Sequence, residues 1–400
     1  MNRLPVMTDP NGQGTTIMFK LIYICICVSA VNASALEEAS VLASGLVTSQ
    51  DLFNTSMRDG VACYRIPALV TAVNGDLVAV MDERVTSCAD LGGNKDINIV
   101  GRRSGDGGMT WSDLETIVDH EFGKSASDPS LIVDRETGEL FLFYNFMDLE
   151  NEADIYSLHV IKSRDHGKTW SEPEDITAQI TRPEWRTDFK FITSGRGIQT
   201  RSGVLLHTLV NLQRGLHIFS SRDHGKTWDC IDTPIRPGDE SKLVELADGR
   251  WMINSRVKGA GMRYVHISAD MGKSWQTAPE PALIDPACNA SILRYTSTAD
   301  GHDKNRLLFS NAKSKNKRKN MTVRISYDEG KTWTEGKTIY IGDAAYSSLT
   351  VLQNGDIGLL FEKDNHKENR FVRFTLEWLT DGKDRYKTPE AVGNSPLQQR

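Results

Sequence analysis

The chain has 400 residues, with 47 Lys+Arg against 53 Asp+Glu and a formal net charge of −6. That balance argues against a protein that binds nucleic acid through a basic surface, which needs clustered Lys and Arg to neutralise phosphates. At 39% hydrophobic and 25% charged, with no apolar run beyond residue 36 long enough to span a bilayer, the composition excludes a membrane channel, a coiled coil and a disordered tail protein.

Residues 1–17 are polar and featureless. Met18-Phe19-Lys20 then leads into an apolar run over residues 21–31, followed by Asn32-Ala33-Ser34-Ala35. A basic residue, about eleven apolar or small residues and an A-x-A site describe a secretory signal peptide, cleaved after Ala35, with Met18 as an alternative start. The chain is thus divided into a leader (1–35), a main domain (36–380) and a loose tail (381–400), and the mature protein is expected outside the cytoplasm, periplasmic or extracellular. The leader removes Cys25 and Cys27. Cys63, Cys88, Cys230 and Cys288 remain, too widely spread for a zinc site or a small disulfide scaffold. One or two bridges suit an oxidising compartment, and Cys63 with Cys88 is the first pair to test. Asn54, Asn289 and Asn320 head N-x-S/T sequons, which matter only in a eukaryotic host.

Beyond the leader, an internal repeat dominates. Five segments share the form S-x-D-x-G-x-[TS]-W, at residues 104–111, 163–170, 221–228, 268–275 and 326–333. Their tryptophans are 59, 58, 47 and 58 residues apart. The Asp can accept N–H groups of its own turn, the Gly allows positive φ, and the Trp supplies an apolar anchor. These are the jobs of a structural turn, not of catalysis. Between the boxes lie short apolar or alternating runs bounded by turn dipeptides, with no long helical period. A repeat of about 58 residues with four short strands each reads as a propeller. Five boxes mark six intervals, so the expected fold is all-β: a six-bladed β-propeller of four-stranded antiparallel blades.

Asn74-Gly75, Thr137-Gly138, Asp248-Gly249 and Asn354-Gly355 each separate two strand-like runs and signal hairpins. Residues equidistant from such a turn face each other. Counting outward sets Arg65 opposite Arg84, starts the second hairpin at Asp128, sets Glu240 opposite Arg256, and sets Tyr346 opposite Glu362. In a propeller these open ends converge on one rim of the central channel. The expected pocket holds several Arg, several carboxylates and a Tyr. Converging guanidinium groups suit a carboxylate or phosphate, an Asp can serve as acid/base, and a Tyr needs a base or cations to become a nucleophile.

Tyr64-Arg65-Ile66-Pro67 followed by the repeated boxes resembles the sialidase (neuraminidase) family of exo-acting glycoside hydrolases, over roughly residues 45–378. The resemblance implies that Arg65, Arg256 and Arg318 bind a substrate carboxylate, with Arg324 as the alternative to Arg318 in a basic stretch. It implies Asp90 as acid/base, Tyr346 as nucleophile, Glu240 as the carboxylate that activates it, and Glu362 as the group that steadies Arg65. Arg84 and Asp128 match residues around the substrate's 4-hydroxyl and amide. The implied reaction removes terminal sialic acids from sialylated glycans with retention, through a tyrosine-linked intermediate. It needs no cofactor or metal and is read as the work of a monomer. Two alternatives stand beside it. A trans-sialidase or intramolecular trans-sialidase would share the catalytic residues and differ in acceptor-site aromatics, for which Trp185, Phe189 and Phe191 are candidates. A propeller lectin would lack Asp90, Glu240 or Tyr346.

Overall fold

The five boxes fold as one repeated turn. In the first, Ser104 Oγ donates to Asp106 Oδ1 at 2.7 Å, and Asp106 accepts from Thr110 N at 2.9 Å and Thr110 Oγ1 at 2.6 Å. These bonds hold the Asp106 carboxyl down at about 2. The same Ser–Asp–Thr or Ser–Asp–Ser bonds recur at Asp165, Asp223, Asp270 and Asp328. The carboxylates are consumed inside their own turns, as expected of structural residues. Gly225 shows why the fifth position is glycine. It has φ +73°, and a Cβ there would lie 2.2 Å from Phe141 Cε1. Trp228 of that box is fully buried, edge-on to Phe141, Phe143 and Phe219 at centroid distances of 5.8, 5.1 and 5.6 Å. Burying a ring of that size contributes about 3 kcal/mol.

The computed structural model describes residues 46–389, so the leader expected over residues 1–35 lies outside the described residues. The compact unit begins at Val47. It is an all-β propeller, but not six uniform four-stranded blades. Among the described residues its strands fall into five sheets. Only two are four-stranded: Cys63–Thr71, Leu77–Arg84, Ile97–Ser104 and Glu115–Val118; and Ser241–Glu245, Trp251–Ser255, Met262–Ser268 and Gln276–Ile284. Two are five-stranded, the second built on Lys124–Val133 and Leu140–Asp148, the third on Leu205–Asn211 and Gly215–Ser221. The last has seven strands, because Lys337–Val351 serves two sets of neighbours. Its first part pairs with Lys319–Ser326 and its second with Ile357–Lys363. That 15-residue strand fuses what the box spacing divides, and overturns the six-blade expectation.

The apolar core lies between successive sheets. Val70, Val78 and Val80 of the first pack with Leu140, Leu142 and Tyr144 of the second. Phe141 and Phe143 of the second pack with Leu205 and Phe219 of the third. Cys63 and Cys88 are joined in a disulfide, while Cys230 and Cys288 are free among the described residues. The sequon residue Asn289 is buried, accepting from Lys242 Nζ and donating to Ser194 Oγ. The loose-tail boundary at 380 falls too early. Asp384 is buried and takes a two-pronged bond from Arg306, at 2.7 and 2.9 Å.

Candidate active site

Three innermost strands carry a β-bulge at the same end. Pairing slips between Arg65 and Ala68, between Ser127 and Ser130, and between Ala344 and Ser347. In the first two the extra residue precedes a proline and has positive φ: Ile66 at 64° and Asp128 at 61°. Proline disfavours the right-handed helical conformation in the residue before it, and a β-branched residue at positive φ is rare outside strained sites. Bulges re-aim side chains, and these three place Arg65, Asp128 and Tyr346 around the channel mouth. The bulge also corrects the first hairpin: Arg65 stands opposite Asp82, and Arg84 opposite Cys63. The third hairpin follows the count, with Arg256 N donating to Glu240 O at 3.1 Å.

Tyr346 is the centre of the arrangement. Its Oη donates to Glu240 Oε2 at 2.7 Å and accepts from Arg256 Nη1 at 3.1 Å. The guanidinium carbons of Arg65 and Arg318 lie 5.6 and 5.4 Å from its ring centre. All three arginines of the expected triad therefore meet at one phenol. Arg324 does not: it is buried elsewhere and donates to Asn311. Lys313 of the same basic stretch pairs with Glu335 at 3.0 Å instead. Burial, and then the charge of Glu240, raise the Tyr346 phenol well above its ordinary 10, against the pull of Arg256 and Arg65. The resting phenol is neutral.

Glu362 ties the parts together. Its Oε1 accepts from Ile66 N at 2.9 Å and Arg65 Nε at 3.3 Å, and its Oε2 from Tyr346 N at 3.0 Å. Despite full burial, Arg65 and His366 hold its carboxyl well below the ordinary range. Asp90 rides on the loop after Leu77–Arg84. Its side chain is 84% exposed, and Oδ1 accepts from Arg84 Nη1 at 2.8 Å and Arg65 Nη1 at 3.1 Å. Against partial desolvation, these arginines lower its carboxyl. Arg256 also binds Glu240 directly and lies 3.6 Å from Asp239.

Sequence reasoning missed Asp82, which is fully buried. Its Oδ2 accepts from Arg84 Nη2 at 2.9 Å and Ser127 Oγ at 2.6 Å, and its Oδ1 from Asp128 N at 2.9 Å. Burial, and then the neighbouring Asp82, push Asp128 up to about 8. The available signal was the run Asp82-Glu83-Arg84 at a strand end, where i and i+2 share a face. The site cavity, about 200 Å³, includes Asp90, Asp128, Glu240, Arg256 and Tyr346 in its lining. Tyr156, also missed, lines it with Phe189 and Phe191. Tyr156 and Phe189 meet edge-on at 4.9 Å. Trp185, the third aromatic of that expectation, is buried against His217 instead.

Comparison with known proteins places this geometry. Residues 75–359 match the BNR repeat-like domain family. A sialidase of Micromonospora viridifaciens is 39% identical over 376 residues, covering 87% of this chain and 57% of that protein. A sialidase of Bacteroides fragilis (strain YCH46) is 31% identical over 336 residues, covering 76% and 60%. The chain thus spans less than two thirds of the length of these two curated relatives. The solved structure of Hadza microbial sialidase Hz136 superposes with a TM-score of 0.72 at 29% identity, covering 80% of this chain and 67% of that one. With the domain match spanning well over half of its length, the chain belongs to the BNR repeat-like domain family.

Proposed function

We propose that this protein is an exo-α-sialidase that hydrolyses terminal sialic acids from sialylated glycans with retention of configuration. The observation that carries the reading is the 2.7 Å bond from Tyr346 Oη to Glu240 Oε2 within a ring of three arginines. Sialic acid bears a carboxylate on its anomeric carbon. A carboxylate nucleophile would meet it against like-charge repulsion, whereas a neutral phenol does not. Arg65, Arg256 and Arg318 hold the substrate carboxylate. Tyr346 Oη attacks the anomeric carbon as its proton passes to Glu240. The glycosidic C–O bond breaks and Asp90 protonates the leaving oxygen. In the second displacement Asp90 takes a proton from water, the water oxygen bonds to the anomeric carbon, the C–O bond to Tyr346 breaks, and Glu240 returns the proton to the phenolate.

Asp90 must be protonated to act as an acid, yet without substrate two arginines favour its charged form. A substrate carboxylate engaging Arg65 weakens one of those contacts and adds a negative charge nearby. Both effects raise the proton affinity of Asp90. In this reading Arg84 and Asp128, which line the cavity, meet the 4-hydroxyl and amide of the sugar.

The aromatic wall of Tyr156, Phe189 and Phe191 favours a second reading, in which an acceptor or a folded product displaces water and the enzyme is a trans-sialidase or intramolecular trans-sialidase. Product identification after incubation with a sialoside decides. Free sialic acid supports hydrolysis, while a transferred sialoside or an anhydro sugar supports transfer. No turnover of any sialoside, with binding retained, would leave a lectin. The reading includes export, supported by the leader pattern and the Cys63–Cys88 bond, and a monomeric state. Mass spectrometry of the secreted chain and light scattering test these two points.

A further inference from the structure

The strands that carry the site at one end carry a second cavity at the other. Arg65, Glu240 and Tyr346 lie at the end where the bulges are, whereas Thr71, Glu245 and Val351 are the last residues of the same inner segments. Those three residues line a cavity of about 430 Å³, at the opposite mouth of the channel. Four arginines also line it: Arg135, Arg196, Arg201 and Arg294.

Two of the four are compensated. Arg294 pairs with Glu329, and Arg201 lies 3.9 Å from Glu245. The other two are not: among the described residues, neither Arg135 nor Arg196 has a carboxylate within ion-pair distance. Asp300 on the rim is exposed and pairs with none of the four. Arg135 is pinned through Nε and Nη2 by Gln199 and Thr200. Arg196 donates from Nη1 to Leu349 O at 3.0 Å, and its Nε is sealed from solvent with no partner. Burial, and then the nearby charge of Arg135, lower the Arg196 guanidinium to about 10. A guanidinium group sealed from solvent without a counter-charge, as at Arg196, is costly, and planar oxyanions are the natural partners of two guanidinium groups facing one cavity.

We infer that the far mouth of the channel is a second binding site, selective for a small oxyanion (phosphate, sulfate or a sugar carboxylate) held between Arg135 and Arg196. It is independent of the sialidase reading, because it shares no residue with that site.

The test is thermal unfolding of the whole protein in sodium phosphate, sodium sulfate or sodium glucuronate, each against sodium chloride at equal ionic strength. Wild type is expected to gain about 2 °C or more at saturation with at least one of them. Comparing the three arms tells an inorganic anion from a sugar acid. Arg196→Gln is expected to lose the gain, and Arg135→Gln, a change at an exposed side chain, to weaken the anion's apparent affinity at least threefold. Hydrolysis of a fluorogenic sialoside, run alongside in sodium chloride alone, is expected to be the same in both variants as in wild type. No gain over chloride in wild type overturns the inference. So does an equal gain in Arg196→Gln, or, should that variant fail to fold, an unchanged affinity in Arg135→Gln.

Discussion

The phenol of Tyr346 and the carboxylate of Glu240, 106 residues apart in sequence, share a 2.7 Å hydrogen bond. The bond gives Tyr346 a base already in place. Tyr346→Phe removes the nucleophile, and Glu240→Gln leaves the phenol without a proton acceptor. Each is expected to lower kcat by about 10²–10⁴-fold, with the unfolding temperature within a few degrees of wild type. Steady-state rates on a fluorogenic sialoside, read beside thermal unfolding, check both. Near-wild-type turnover by Tyr346→Phe would remove the tyrosine from the mechanism.

Glu362 bonds the backbone of both Ile66 and Tyr346 and the side chain of Arg65. Glu362→Gln keeps the shape but leaves the buried Arg65 charge opposite an uncharged amide. A loss of about 3 kcal/mol in stability is expected, together with a tenfold or larger rise in KM, because Arg65 no longer stands firm to receive the substrate carboxylate. The rise in KM should exceed the fall in kcat. The reverse pattern would place Glu362 with Tyr346 rather than with Arg65.

These residues were legible to different degrees, for physical reasons. The boxes announced the propeller because Ser, Asp, Gly and Trp each do a local job that leaves a fixed spacing. The division into sheets was not legible, because nothing inside Lys337–Val351 marks where one partner ends and the next begins. Counting from the hairpin turns brought Glu240 to Arg256 but set Arg84 where Asp82 stands opposite Arg65. Counting assumes a regular ladder centred between Asn74 and Gly75; Thr71 already faces Leu77, one residue off that count, and the bulge at Ile66 adds a second. Arg318 could be told from Arg324 only in three dimensions, where one faces Tyr346 and the other Asn311. The grip of Arg306 on Asp384, 78 residues away, left no local trace near the C-terminus.

Asp82 is fully buried beside the half-buried Asp128, and both carboxyls are raised, Asp128 to about 8. A carboxyl that titrates near 8 when folded and near 4 when unfolded holds more protons in the folded state between those values. Stability therefore falls as pH rises from about 4 to about 8, with a slope of at most about 1.4 kcal/mol per pH unit for one proton. Asp128→Asn, an isostere of the protonated acid, is expected to flatten that slope. Unfolding free energies from denaturant titrations between pH 5 and pH 8 measure it, and parallel slopes for variant and wild type would show that the pair carries no extra proton.

Cys63 lies two residues before Arg65 and Cys88 two before Asp90, so their disulfide fastens the acid/base loop to the strand of the first arginine. Arg84 adds two bonds to the same loop, at Cys88 O and Ala89 O, each 3.0 Å. Replacing both cysteines with serine is expected to cost about 3 kcal/mol of stability, since the bond closes a 25-residue separation. The loop would keep its Arg84 contacts but gain freedom, and Asp90 is the group that suffers. A misplacement of about 1 Å at a proton donor can cost up to about 10²-fold, and with Arg84 still attached a fall in kcat of about tenfold is expected. KM should change little, because Arg65 is held independently by Glu362. Reduction of wild type under folded conditions should reproduce the same change in kcat and reverse it on reoxidation. A loss of stability with kcat unchanged would reduce the disulfide to a structural brace.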